Sequence, residues 1–81
     1  MPSKSVTVGS SVGLHARPAA LIAEAAGTLD STVTINGVDA GSSLMIMTLG
    51  AKCGDTVEVA GDDQAAVDSI AAMVEQDLDA D

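Results

Sequence analysis

Apolar and polar positions alternate in three short stretches of the chain and recur with helical spacing in two others. Residues 4–8 read Lys-Ser-Val-Thr-Val, which turns Val6 and Val8 to one side of a short strand. Residues 56–60 repeat the pattern with Val57 and Val59 facing inward. Residues 31–35, Ser-Thr-Val-Thr-Ile, run into Asn36-Gly37. That dipeptide suits a two-residue hairpin because both turn positions need positive φ. A hairpin here sets Ile35 opposite Val38 and Val33 opposite Ala40, so turn chemistry and apolar pattern select the same buried side. The returning strand then reaches Ala40 or Gly41.

Helical periodicity fills the remaining segments. Residues 9–15 form a loop containing Gly9 and Gly13, and ARPAALIAEAAG follows, composed almost entirely of strong helix formers. Pro18 is tolerated only in a first helical turn, so the helix starts near His15 or Ala16. Ala19, Ile22, Ala23 and Ala26 share its inner face, and Gly27 is the expected stop. Residues 42–50, SSLMIMTLG, fit either a buried strand or a short helix. Ser42 as cap, Gly50 as stop and the Leu/Met content favour a helix of two turns, with two apolar residues left exposed. Asp62 or Asp63 caps the last helix, whose buried stripe is Val67, Ile70, Ala71, Val74 and Leu78. The DLDAD tail sets acids at the negative end of that helix, which favours fraying.

The order β-α-β-β-α-β-α, with helices covering one face of an antiparallel sheet, is a two-layer α+β fold. At 81 residues without a repeat or linker, the chain is expected to form one domain spanning 1–81.

Charge narrows the partners. Twelve acids against three bases give a net charge of -9. Such a chain repels nucleic-acid backbones and anionic membranes, and it has no aromatic residue on which a base could stack. The charge is uneven: residues 1–50 hold two cations against three carboxylates, residues 51–81 one against nine. The single cysteine, Cys53, forms no internal disulfide, and the single histidine makes a histidine metal cluster or a hydrolytic triad hard to build. No apolar run approaches the length of a membrane span and no signal-peptide pattern opens the chain, so a soluble cytoplasmic monomer without a cofactor is the expectation.

The sharpest local feature is Gly13-Leu14-His15-Ala16-Arg17-Pro18-Ala19. With proline in the first turn, His15 falls at the N-cap, in the positive field of the helix start. A phosphoryl group on its ring would meet unpaired backbone amides, that of Ala16 among them, and Arg17 would clamp it by charge. No carboxylate stands in the segment to act as a base. The arrangement suits carrying a group rather than transforming a substrate.

GLHARPA, followed about thirty residues on by SSLMIMTLG, resembles the HPr family, the histidine-containing phosphocarriers of the phosphoenolpyruvate-dependent sugar phosphotransferase system. The resemblance covers almost the whole chain. It implies an open-faced β-sandwich with four antiparallel strands in the order 1-4-2-3 and three helices. It implies phosphorylation of His15 on Nδ1 by enzyme I, phosphoryl contacts from Arg17, and transfer to sugar-specific IIA components. The protein would thus be a co-substrate of phosphotransfer enzymes and not an enzyme. Ser42 matches a serine at which a kinase and a phosphatase regulate some members, and Ser43 directly after it offers a second hydroxyl. Ala20, Leu21, Ser43, Leu44 and Met47 form the expected apolar partner surface, if the first two helices lie side by side.

Overall fold

A computed structural model describes residues 2–76. Seven elements follow one another: β1 (Ser3–Thr7), α1 (Ala16–Gly27), β2 (Val33–Ile35), β3 (Val38–Asp39), α2 (Ser43–Thr48), β4 (Thr56–Gly61) and α3 (Gln64–Glu75). The strands form one antiparallel sheet in the order β1-β4-β2-β3, with β4 inserted between the first two in sequence. This is the α+β open-faced sandwich that the family resemblance implied.

Register places the apolar residues on one side. Val6 lies opposite Val57, Ile35 opposite both Val38 and Val59, and Val33 opposite Gly61. On the other side Ser5 faces Glu58 and Thr7 faces Thr56, all exposed. All three helices pack over the apolar face, where Val6, Val8, Ile22, Ile35, Ile46, Val57, Val59, Val67, Ile70 and Val74 are buried together. With no aromatic ring available, branched aliphatic side chains and alanines fill this core.

The hairpin turns as its dipeptide demands, with Asn36 at φ 50° and Gly37 at φ 85°. Asn36 also ties the turn to β4: its amide donates to Glu58 C=O at 2.8 Å, and its Oδ1 accepts from Glu58 N–H at 2.8 Å. The returning strand is shorter than its pattern suggested. Ala40 N–H still reaches Val33 C=O at 2.9 Å, but Asp39 then bends the chain away. Its carboxylate accepts from Gly41 N–H at 2.8 Å and its carbonyl from Ser42 N–H at 3.1 Å.

Helix ends fall where local chemistry placed them. α1 ends at Gly27, the expected stop, and Thr28 after it is the C-cap, with right-handed backbone angles. The Thr28 amide and hydroxyl both donate to Ala25 C=O, at 3.1 and 2.8 Å. The threonine hydroxyl thus adds a second bond to a carbonyl of the final turn. Ala23 and Ala26 are only partly buried against the core. Residues 43–48 are helical and not a strand. Ser42 Oγ accepts from Met45 N–H at 3.3 Å, and Gly50 follows the helix at φ 63°. Of the two aspartates before α3, Asp63 is the cap, accepting from Ala65 N–H at 3.2 Å. The expected stripe of α3 is buried through Val74, while Leu78 and the acidic tail lie outside the described residues.

Candidate functional site

The site begins with two loops that hold each other. Val8 ties them with both its backbone groups: Val8 N–H donates to Asp55 C=O at 2.8 Å and Gly54 N–H to Val8 C=O at 2.9 Å. Further along, Leu14 N–H donates to Ala51 C=O at 2.9 Å. Gly13 makes this approach feasible. It sits at φ 76°, and a Cβ built on it would lie 2.4 Å from Ala51 O and 2.9 Å from Lys52 Cα. Leu14 is buried and anchors the segment from below. The next residue, His15, is exposed.

His15 is the N-cap of α1, with extended backbone angles (φ -101°, ψ -165°), and its carbonyl accepts from Ala19 N–H at 2.9 Å. Its imidazole caps nothing, so the ring is not consumed by the helix it introduces. Pro18 is the third helical residue, a position whose amide would have had no intrahelical partner. It is buried, which fixes the first turn against the core. The open amides of that turn therefore belong to Ala16 and Arg17, the two residues that follow His15 in sequence. Arg17 is exposed, with no ion pair among the described residues. An exposed imidazole, two amides at a helix start and an exposed guanidinium can receive a tetrahedral anion attached to the ring.

α1 and α2, which carry the residues expected to meet partners, lie against one another. Ala20 and Leu44 are exposed, while Leu21, Ser43 and Met47 are half-buried. Leu44 is 67% exposed, and Met45, absent from the expected set, is 43% exposed. Ile46 supplies the single buried side chain of this short helix. Ser42 caps it with its hydroxyl. Cys53 is exposed in the turn between α2 and β4.

Sequence reading missed two residues at the loop that leads to the histidine. Val12 is 58% exposed in the loop three residues before His15. Lys52 is brought beside Gly13 by the loop pairing just described. Val12 carried a signal, as an apolar residue in a loop. Lys52 carried none, because its proximity is set by hydrogen bonds between distant segments.

Comparison with known proteins agrees with this geometry. Residues 2–76 match the family model described as the PTS HPr component phosphorylation site. The chain is 36% identical over 87 aligned positions to the phosphocarrier protein HPr of Streptomyces coelicolor, covering 98% of this chain and 94% of that protein. It is 42% identical over 73 positions to the phosphocarrier protein HPr of Treponema pallidum, covering 82% of each. Among solved structures, HPr-C-His of Thermoanaerobacter tengcongensis superposes with a TM-score of 0.87 at 26% identity, covering 100% of this chain and 99% of that one. The phosphocarrier protein HPr of Bacillus anthracis superposes with a TM-score of 0.83 at 30% identity, covering 90% of this chain and 95% of that one.

Proposed function

We infer the function from one premise: the chain belongs to the HPr family of phosphocarriers of the sugar phosphotransferase system. On that premise, residues 1–81 act as a single carrier domain that takes a phosphoryl group on His15 and gives it up again. The observation carrying this reading is the exposed imidazole at the start of α1, free of any capping bond.

The donor is phosphorylated enzyme I, and the acceptors are sugar-specific IIA components. The Nδ1 lone pair of His15 attacks phosphorus as the donor's P–N bond breaks, and that bond's electron pair returns to the donor ring. The trigonal phosphoryl group passes in line between two nitrogens. The Ala16 and Arg17 amides and the Arg17 guanidinium receive its oxygens. Because they neutralise it only in part, the reverse step remains accessible, as a carrier requires. This role makes the protein a co-substrate and not a catalyst, working in the cytoplasm as a monomer. Ala20, Leu21, Ser43, Leu44 and Met47 form the surface on which partners dock for brief encounters. Ser42 serves as a regulatory position: a phosphate there adds negative charge beside that surface and opposes docking of enzyme I.

Incubation with enzyme I, phosphoenolpyruvate and Mg²⁺ tests the reading. An acid-labile, base-stable phosphate should appear on wild type and be absent from His15→Ala. Wild type that stays unmodified, or His15→Ala modified to the same extent, refutes it. Transfer onward to a IIA component separates a sugar-transport carrier from a protein that only stores the phosphoryl group.

A further inference from the structure

The chain has three cations, and the fold brings one of them, Lys52, to the loop that leads to His15. Resting on the carrier reading, we propose that Lys52 is a second phosphoryl-binding cation, reaching the group on His15 from the turn after α2 while Arg17 reaches it from α1.

Backbone geometry supports the reach. The position of a Gly13 Cβ is 2.9 Å from Lys52 Cα, and Gly13 is two residues, at most about 7 Å, from His15. A lysine's flexible four-carbon stem can bridge what is left. The base of that stem is held firmly. Asp55 N–H donates to Lys52 C=O at 2.9 Å, and Lys52 N–H donates to Asp55 Oδ2 at 2.9 Å, which closes the turn. Leu14 N–H fastens the preceding carbonyl, that of Ala51. Asp55 is thereby engaged by the backbone, and the Lys52 ammonium has no ion-pair partner among the described residues. The side chain is exposed and available.

Charge gives the arrangement its purpose. A phosphoryl group adds about -1.5 to -2 charges to a chain already at -9. Arg17 alone leaves that addition undercompensated. A second cation, an ammonium, lowers the repulsion as the group arrives, and a point charge on a long stem can follow it as it leaves.

Lys4 supplies the control. It lies at the start of β1, the end of the strand away from the loop to His15, and its removal changes net charge by the same amount. Lys52→Met should slow phosphoryl transfer from enzyme I roughly tenfold, Lys52→Arg should restore most of the rate, and Lys4→Met should stay within twofold of wild type. In the isolated phosphorylated protein, with no partner present, the ³¹P resonance of the phosphohistidine should shift in Lys52→Met and stay put in Lys4→Met. Equal rates for Lys52→Met and Lys4→Met overturn the proposal. So does a slowed Lys52→Met whose ³¹P resonance is unmoved, because the lysine then serves docking, and so does a failure of Lys52→Arg to rescue. Absence of phosphate on wild type overturns the carrier reading itself and this proposal with it, whereas a normal wild type with an unaffected Lys52→Met overturns only this proposal.

Discussion

Gly13→Ala separates two costs that usually arrive together. The first is backbone strain: at φ 76° an L residue is in left-handed territory, which costs about 1–2 kcal/mol. The second is collision, since the new methyl would stand 2.4 Å from Ala51 O and 2.9 Å from Lys52 Cα. Both neighbours are backbone, so relief requires the loops to part, and the Leu14-to-Ala51 hydrogen bond goes with them at about 1 kcal/mol. The total is about 2–4 kcal/mol. A domain of 81 residues has about 4–12 kcal/mol in all, so the variant should be visibly destabilised. Gly37→Ala is the matched control. It too sits at positive φ, 85°, but a Cβ there meets nothing within 4 Å, so it bears the strain cost alone. Urea unfolding followed by far-ultraviolet circular dichroism should give Gly13→Ala a midpoint well below that of Gly37→Ala at similar slope. The same variant should accept phosphate from enzyme I more slowly than Gly37→Ala, because His15 is two residues beyond the disturbed contact. If the two glycine variants agree within about 0.5 kcal/mol, the claim that loop contact at Gly13 positions the site is wrong.

Other outcomes follow from single contacts. His15→Ala should change unfolding free energy by less than about 0.5 kcal/mol, since the ring is exposed and caps nothing; chemical denaturation checks that lost phosphorylation is not lost folding. Ser42→Ala removes the acceptor for Met45 N–H and should cost about 1 kcal/mol, whereas Ser42→Asp keeps a cap and should melt within a few degrees of wild type. If Ser42→Asp nonetheless slows transfer from enzyme I, added charge rather than helix loss is responsible; equal rates would refute the regulatory reading. Ile70→Ala empties the centre of the stripe that α3 buries against the sheet and should cost about 2–5 kcal/mol by urea titration, with the site chemistry intact in whatever fraction remains folded.

Much of the fold could be read along the chain because local chemistry and global packing agree. Asn36-Gly37 demanded one turn, and that turn set the register in which Ile35 meets Val38. Pro18 bounded the start of α1, and Asp63 and Ser42 supplied caps within a residue or so of their expected places. Where two local solutions competed, the pattern misled. Residues 31 and 32 looked like strand, but β4 offers partners only from Val33 onward. Asp39 cut the returning strand short by drawing Gly41 and Ser42 into a turn.

The sequence by itself determined the element types, the capping of α2 and α3, and the placing of one histidine, two amides and one arginine at one helix start, because such features are set within a helical turn. Only the tertiary structure decided which face of α2 is left exposed, with Leu44 and Met45 outward and Ile46 inward, and that Lys52 lies beside Gly13, two residues before His15. The physical reason is range. Caps, turns and a first helical turn are settled by bonds between residues a few positions apart, whereas the Lys52 approach depends on a carbonyl of one loop accepting the amide of another, across a glycine whose missing side chain leaves the room.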